Sequence, residues 1–130
     1  MPTVDKQIRI DRPATDVWNV VGDIGGISAW FPGLASSSAD DGKRVCELEG
    51  GVGTLVEDIV AYDADERTYE YAITDAPMPV ESHHARVEVH DEGDASLLVW
   101  RTEVEPASTA EAMGSMFDAA LAELKQRLES

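Results

Sequence analysis

The C-terminal part of the chain carries the pattern that most constrains the fold. Apolar residues recur at helical spacing from Thr109 to Leu128, in a stripe of Ala110, Met113, Phe117, Ala120, Leu121, Leu124 and Leu128. Ser108 and Glu111 have the spacing of a capping box, which predicts a helix start at that point. The preceding residues 44–105 read as strands. A single long helix after such a run must cover one face of the sheet, and that arrangement can enclose a cavity.

Strand-like sequence fills most of the chain before this helix. Residues 4–10 alternate between apolar and polar side chains, which predicts a strand that can lie at the edge of a sheet. Turns rich in Gly and Asp separate most of six further predicted strands, at 34–40, 43–49, 54–62, 67–74, 80–91 and 95–105. The sequence therefore predicts an α+β protein with a seven-stranded antiparallel sheet.

Two short helices are predicted between the first and second strands. The first follows Pro13 and ends at Gly22. The second spans residues 24–31 and is broken by Pro32.

The size and charge of the chain argue against several classes of protein. With 130 residues there is room for one domain, which we expect to span residues 1–130. A net charge of −16 repels phosphate and disfavours a nucleic-acid partner. No apolar run reaches the ~20 residues of a membrane span, and the N-terminus lacks the core of a signal peptide. We expect a cytoplasmic protein, as a monomer or a homodimer.

The histidine and cysteine residues do not form a metal-binding pattern. His83 and His84 are neighbours on a predicted strand and point to opposite faces, and His90 shares the outward parity of His84. Cys46 is the only cysteine, so an intrachain disulfide is impossible and a small core residue is expected. Phosphate-loop, dinucleotide-binding and nucleophile-elbow motifs are missing. We therefore expect neither a metal nor a cofactor.

The alternation within each strand predicts which side chains face the helix. The inward set is Arg44, Cys46 and Leu48; Leu55, Glu57, Ile59 and Ala61; Tyr69, Tyr71 and Ile73; Glu81, His83, Ala85, Val87 and Val89; and Leu98, Trp100, Thr102 and Val104. Glu57 is the anomaly among its aliphatic neighbours, because a buried carboxylate without a partner costs several kcal/mol.

Glu57 has two interpretations. In the first, Glu57, His83 and Tyr71 are polar anchors in an apolar pocket, as in many small-molecule sites. In the second, Glu57 pairs with Arg44 on the neighbouring strand as a structural salt bridge. Trp30 is similarly either part of a gate at the cavity mouth or a core residue between the short helices.

Five short segments, in order along the chain, are similar to a known family. They are Val17-Trp18-Asn19-Val20-Val21-Gly22-Asp23, Cys46-Glu47-Leu48-Glu49-Gly50-Gly51, Leu55-Val56-Glu57, Arg67-Thr68-Tyr69-Glu70-Tyr71 and Val99-Trp100. With the order of elements, they resemble the polyketide cyclase/dehydrase-like branch of the START-like (SRPBCC) helix-grip superfamily over nearly the whole chain. The resemblance implies a seven-stranded antiparallel sheet curled around the final helix, enclosing a hydrophobic cavity for lipids, polyketides or other apolar ligands. Distant plant hormone receptors have an acid at the place of Glu57 and a tyrosine at the place of His83, both facing that cavity.

Three functional hypotheses follow. The first is a carrier or sensor that binds a small hydrophobic ligand through Glu57, Ile59, Tyr69, Tyr71, His83, Ala85, Trp100, Met113, Phe117 and Trp30. The second is an enzyme of the polyketide cyclase/dehydratase type, in which Glu57 and His83 act as acid and base. The third is a protein-interaction module with a vestigial cavity, whose acidic surface binds a basic partner.

Overall fold

The computed structural model describes residues 2–130, which form seven strands, two α-helices and two short 3-10 helices. The strands are β1 (Thr3–Ile10), β2 (Leu34–Asp40), β3 (Lys43–Leu48), β4 (Thr54–Asp63), β5 (Thr68–Asp75), β6 (Ser82–Asp91) and β7 (Ser96–Glu105). The α-helices are α1 (Ala14–Val21) and α2 (Ala107–Glu129), and the 3-10 helices are Ile24–Ala29 and Glu49–Gly51.

The strands form one antiparallel sheet in the order β1-β7-β6-β5-β4-β3-β2. β1 lies at one edge beside β7, as its alternating sequence predicts. Helix α2 packs on one face of the sheet, chiefly over β1 and β7. The α+β helix-grip architecture, with two short helices between the first two strands, is confirmed. Within residues 2–130, no helix is both long and apolar enough to cross a membrane.

Helix α2 buries the stripe that its sequence predicts. Met113, Phe117, Leu121 and Leu124 are all buried, at the three- and four-residue spacing of one helical face. The predicted capping box of Ser108 and Glu111 is wrong.

The helix begins earlier than the capping box requires, directly after Pro106. The N-cap residue is Pro106, which makes no side-chain capping bond. Its carbonyl accepts hydrogen bonds from the amides of Thr109 and Ala110. The Thr109 hydroxyl is also engaged, because it donates to the Pro79 carbonyl at 2.7 Å. The first turn is therefore held by backbone and tertiary bonds.

The predicted inward parity holds along most strands and fails at two positions. Ala61 is exposed because a register shift between Ile59 and Ala61 turns the end of β4 over. Tyr62 instead lies opposite Tyr69, and its hydroxyl donates to the Gly22 carbonyl at 2.9 Å. Glu81 is also exposed, because it precedes the first residue of β6.

Candidate ligand cavity beneath helix α2

A cavity of about 50 Å³ lies between α2 and the covered face of the sheet. Aromatic and methionine side chains form much of its wall: Phe31, Trp100, Phe117, Met78, Met113 and Met116. The polar lining is Arg44, Glu57, Tyr71 and His83, and Ile27, Leu34, Cys46 and Ile73 complete the wall. This volume holds water molecules, whereas pockets for drug-sized ligands measure about 300–1,000 Å³. In this conformation aromatic side chains fill most of the space under the helix.

Arg44 and Glu57 form a buried ion pair in the cavity wall. The register of β3 and β4 places the two residues opposite each other. Arg44 Nε donates to Glu57 Oε1 at 2.6 Å, and the side chains are 1% and 5% exposed. Arg44 Nη1 also donates to the Ile24 carbonyl and to the Tyr69 hydroxyl, each at 3.3 Å. The salt bridge of the second interpretation is present, and the same two residues line the cavity.

Two tyrosine rings surround the Arg44 guanidinium. Its central carbon lies 5.6 Å from the Tyr69 ring centroid and 4.9 Å from that of Tyr71, within cation–π range. Burial alone would lower the pKa of Arg44, but Tyr69, Glu57 and Tyr71 outweigh it and the pKa is raised. Arg44 is therefore charged at neutral pH.

Burial raises the pKa of the neutral groups around Arg44. It is the main cause that raises the pKa of Tyr69 and Tyr71, and both remain phenols at neutral pH. The Tyr71 hydroxyl accepts a hydrogen bond from Trp100 Nε1 at 3.0 Å. Burial, and then the charge of Glu57, raise the pKa of Cys46 to about 11, so this side chain is a neutral thiol.

His83 is held in the sheet by an unusual bond. The β5–β6 pairing ends at Tyr71 and Ala85, and the same register continued by two residues along each strand would place Ile73 opposite His83. At that position the imidazole replaces the backbone carbonyl as acceptor, because Ile73 N–H donates to His83 Nδ1 at 3.0 Å. His83 Nε2 is buried and has no hydrogen-bond partner among residues 2–130. Burial, reinforced by His84, lowers the pKa of His83 to about 4, so the ring is neutral at pH 7.

The structure brings six of the predicted site residues together around the cavity: Glu57, Tyr71, His83, Trp100, Met113 and Phe117. Ile59, Tyr69 and Ala85 face the same side of the sheet but lie outside the wall of this cavity. Tyr69 packs instead between Arg44 and Trp18, whose ring centroid is 6.4 Å away.

Trp30 also lies outside this cavity. Its ring packs against Phe31 and Trp100, with centroids 6.1 and 6.2 Å apart, and its side chain is buried. Trp30 borders a separate outer pocket of about 310 Å³, which shares Phe31 and Leu34 with the inner cavity. Trp30 therefore packs as a core residue. Phe31, the next residue, lines both the inner cavity and the outer pocket.

Sequence reasoning did not identify all of the cavity wall as a site. Arg44, Cys46 and Ile73 have the inward parity of their strands, and this alternation could have identified them as residues of the wall. Ile27 lies in the short 3-10 helix Ile24–Ala29 and Met78 in the loop between β5 and β6, where no strand alternation indicates orientation. Residues 2–130 contain no group of three or more His, Cys, Asp or Glu side chains placed to hold a metal ion.

A seven-stranded antiparallel sheet with one face covered by a long C-terminal helix, and a small cavity between them, defines a helix-grip protein. The chain belongs to the family described as "Polyketide cyclase / dehydrase and lipid transport", which matches residues 1–129. This is the polyketide cyclase/dehydrase branch that the sequence resembles. None of the curated proteins compared with the chain matches it significantly.

Solved structures share this fold at low sequence identity. The protein XoxI from Bacillus cereus is 22% identical with a TM-score of 0.92, over 98% of this chain and 96% of the other. A START superfamily protein from Mycobacterium smegmatis is 16% identical with a TM-score of 0.81, over 98% and 97%. The di-domain ARO/CYC BexL from the BE-7585A biosynthetic pathway is 16% identical with a TM-score of 0.84, over 99% of this chain and 47% of BexL.

Proposed function

We propose that this protein binds a small hydrophobic molecule beneath α2, as a carrier or a sensor. The observation that carries the proposal is the unfilled space whose wall includes His83, a residue whose buried Nε2 has no partner among residues 2–130. Buried polar groups normally have partners, so an unpaired nitrogen on a residue of a cavity wall is typical of a site that a ligand completes. The family description, which includes lipid transport, supports the same class of ligand.

The cavity must enlarge before it takes such a ligand. Methionines 78, 113 and 116 contribute to its wall, and their unbranched side chains change rotamer readily. Phe31 and Leu34 separate the inner cavity from the outer pocket of about 310 Å³. A shift of Phe31 would join the two spaces and reach the volume of ordinary ligand pockets.

A thermal-shift screen with fatty acids and aromatic polyketides, followed by native mass spectrometry, tests this proposal. Cys46→Leu enlarges a side chain of the cavity wall, and Val60→Leu enlarges an exposed side chain on β4 as its matched control. We expect at least one apolar compound to raise the Tm of the wild type and of Val60→Leu, with a smaller shift in Cys46→Leu. If no apolar compound stabilises the wild type, the proposal fails and a protein-interaction module becomes the better hypothesis.

A polyketide cyclase/dehydratase-type enzyme is the second candidate, supported by the similarity of the fold to BexL. Its acid and base would be Glu57 and His83, which line the same cavity. The Arg44 guanidinium binds Glu57, and a histidine with a pKa of about 4 is a weak base, so the arrangement favours binding over proton transfer. Glu57→Gln and His83→Ala should both abolish turnover of a poly-keto substrate if this candidate is correct. Unchanged product formation in either variant would remove that residue from the mechanism.

A further inference from the structure

We infer that the ligand of this cavity is an apolar, flat molecule that presents a neutral carbonyl oxygen to His83 Nε2–H. The inference rests on the proposed function and specifies its ligand class. It gives His83 a role as a specificity-determining residue, through one directed hydrogen bond.

The backbone fixes which nitrogen of His83 carries the proton. A neutral imidazole has one N–H donor and one acceptor nitrogen, and the hydrogen bond to one nitrogen decides the tautomer. Because Ile73 N–H donates to Nδ1, that nitrogen is the acceptor and the proton is on Nε2. His83 therefore offers the cavity a donor and no acceptor.

Other polar groups in the wall are already engaged. Tyr71 accepts a hydrogen bond from Trp100, and Arg44 binds Glu57, Ile24 and Tyr69. The buried His83 Nε2 has no hydrogen-bond partner among the residues the structure describes. An oxygen acceptor on the ligand would give this nitrogen a hydrogen-bond partner.

The charges of the wall favour a neutral acceptor over a carboxylate. Arg44 is the cation of the wall, and Glu57 already pairs with it at 2.6 Å. A ligand carboxylate would enter beside Glu57 with no second cation to balance it, and burial of an unbalanced charge is unfavourable. A carbonyl oxygen accepts the same hydrogen bond from His83 without that cost.

The ring arrangement favours a flat apolar body. Trp100 and Phe117 are stacked with centroids 4.2 Å apart and planes 17° apart. Phe31 meets both rings edge-on, at 6.0 and 6.2 Å. A planar ligand can replace one of these ring contacts when the cavity opens, since offset and edge-on ring contacts are favourable.

Three probes of nearly equal size test the inference by calorimetry: 2-acetylnaphthalene, 2-ethylnaphthalene and 2-naphthoate. They place a ketone, a hydrocarbon and a carboxylate on the same flat body. We expect the ketone to bind the wild type about tenfold more tightly than the hydrocarbon, in keeping with one added hydrogen bond, and the carboxylate to bind more weakly than the ketone.

Two substitutions separate the donor of His83 from its structural bond. In His83→Asn, the side-chain oxygen can still accept from Ile73 N–H, but no donor reaches the position of Nε2. In His83→Gln, an amide N–H reaches that position. We expect the ratio of ketone to hydrocarbon affinity to fall to about one in His83→Asn and to recover in His83→Gln. In the wild type, the ¹⁵N resonance of His83 Nε2 should shift with the ketone and not with the hydrocarbon.

The outcomes distinguish this inference from the proposed function. If the wild type binds the hydrocarbon as tightly as the ketone, or if His83→Asn keeps the full ketone preference, the inference is wrong and the binding function stands. If the wild type binds none of the three probes, the inference is wrong, and the thermal-shift screen with the other apolar compounds decides whether the binding function stands.

Discussion

Arg44 and Glu57 are the residues whose burial most needs an explanation. Removing two charges from water is expensive, and the ion pair repays that cost only when its geometry is good and the remaining polar atoms are bonded. Here the guanidinium has bonds to Glu57, Ile24 and Tyr69 and lies against two aromatic rings. The pair therefore specifies how β3, β4 and β5 meet under the helix.

Loss of one partner should be much more costly than loss of both. Arg44→Met leaves the Glu57 carboxylate buried and unpaired, and we expect it to lower the free energy of unfolding by about 3–5 kcal/mol. The double variant Arg44→Met/Glu57→Leu removes that charge and should recover most of the loss. Urea unfolding of the three proteins measures both values. A double variant no more stable than Arg44→Met would show that the unpaired charge is not the cause.

His83 should make the stability depend on mildly acidic pH. Its pKa is about 4 in the folded protein and 6.5 as the ordinary value for the unfolded chain. Between these values the unfolded state binds a proton that the folded state does not, so stability rises with pH. The contribution is complete above about pH 6.5 and is lost as the pH falls toward 4.

The matched variants His83→Gln and His84→Gln separate the contribution of His83 to the pH dependence of stability from that of the many carboxylates. We expect His83→Gln to remove about 1–3 kcal/mol of the change in unfolding free energy across this window, allowing for the partial exposure of the ring. His84 is half exposed on the outer face, so His84→Gln should keep the wild-type slope. Denaturant unfolding at several pH values gives the slopes, and identical slopes for both variants would contradict the assignment.

At the scale of elements, two glycines at helices respond oppositely to the same substitution. A Cβ at Gly22, just after α1, would overlap the Trp18 indole, which packs against Tyr62 and Tyr69. A Cβ at Gly114 in α2 would meet its nearest neighbour, Val4, at an ordinary 3.7 Å.

Gly22→Ala should therefore destabilise the protein by about 1–3 kcal/mol through overpacking. Gly114→Ala should stabilise it by about 0.5–1 kcal/mol, because alanine loses less backbone freedom in a helix than glycine. Thermal unfolding of the two variants measures the difference, and shifts in the same direction would contradict it.

The elements were largely predictable from sequence because their signals are local. Alternation and turn residues locate all seven strands to within a few residues, and the apolar stripe locates α2. The exposure of Ala61 was not predictable, because the bulge that turns it outward depends on pairing with β5. The start of α2 was missed because bonds to Pro106 and Pro79 replace the side-chain cap.

The polar residues of the candidate site could be predicted from the sequence, but the volume of the cavity could not. Parity alone selects Arg44, Glu57, Tyr71 and His83. How far Phe31 and the methionines enter the space depends on irregular segments and side-chain rotamers, which leave no periodic signal in the sequence.

The net charge of −16 dominates the electrostatics of the protein. Ion pairs occupy many of the basic side chains, such as Lys6 with Asp118 and Arg12 with Asp16. The remaining carboxylates repel one another, and this repulsion weakens the compact state.

Added salt should therefore raise the Tm, because screening weakens that repulsion over distances beyond about 10 Å at 0.1 M ionic strength. The variant Asp94→Asn/Glu103→Gln/Glu111→Gln neutralises three exposed acids and should show a smaller rise. Thermal unfolding between low and high sodium chloride concentration tests this. A Tm that falls with salt would mean that the surface ion pairs outweigh the repulsion.

The hydrogen bond from Ile73 N–H to the His83 imidazole, which links β5 to β6, should respond to a ligand in the cavity. The Ile73 amide is held by a side chain rather than by a strand, so its exchange with deuterium depends on how firmly the His83 ring is seated. A ligand that anchors the ring through Nε2 should slow exchange at this one amide while leaving Tyr71, in the regular ladder, nearly unchanged. The exchange rate of the Ile73 amide then indicates whether a ligand occupies the cavity.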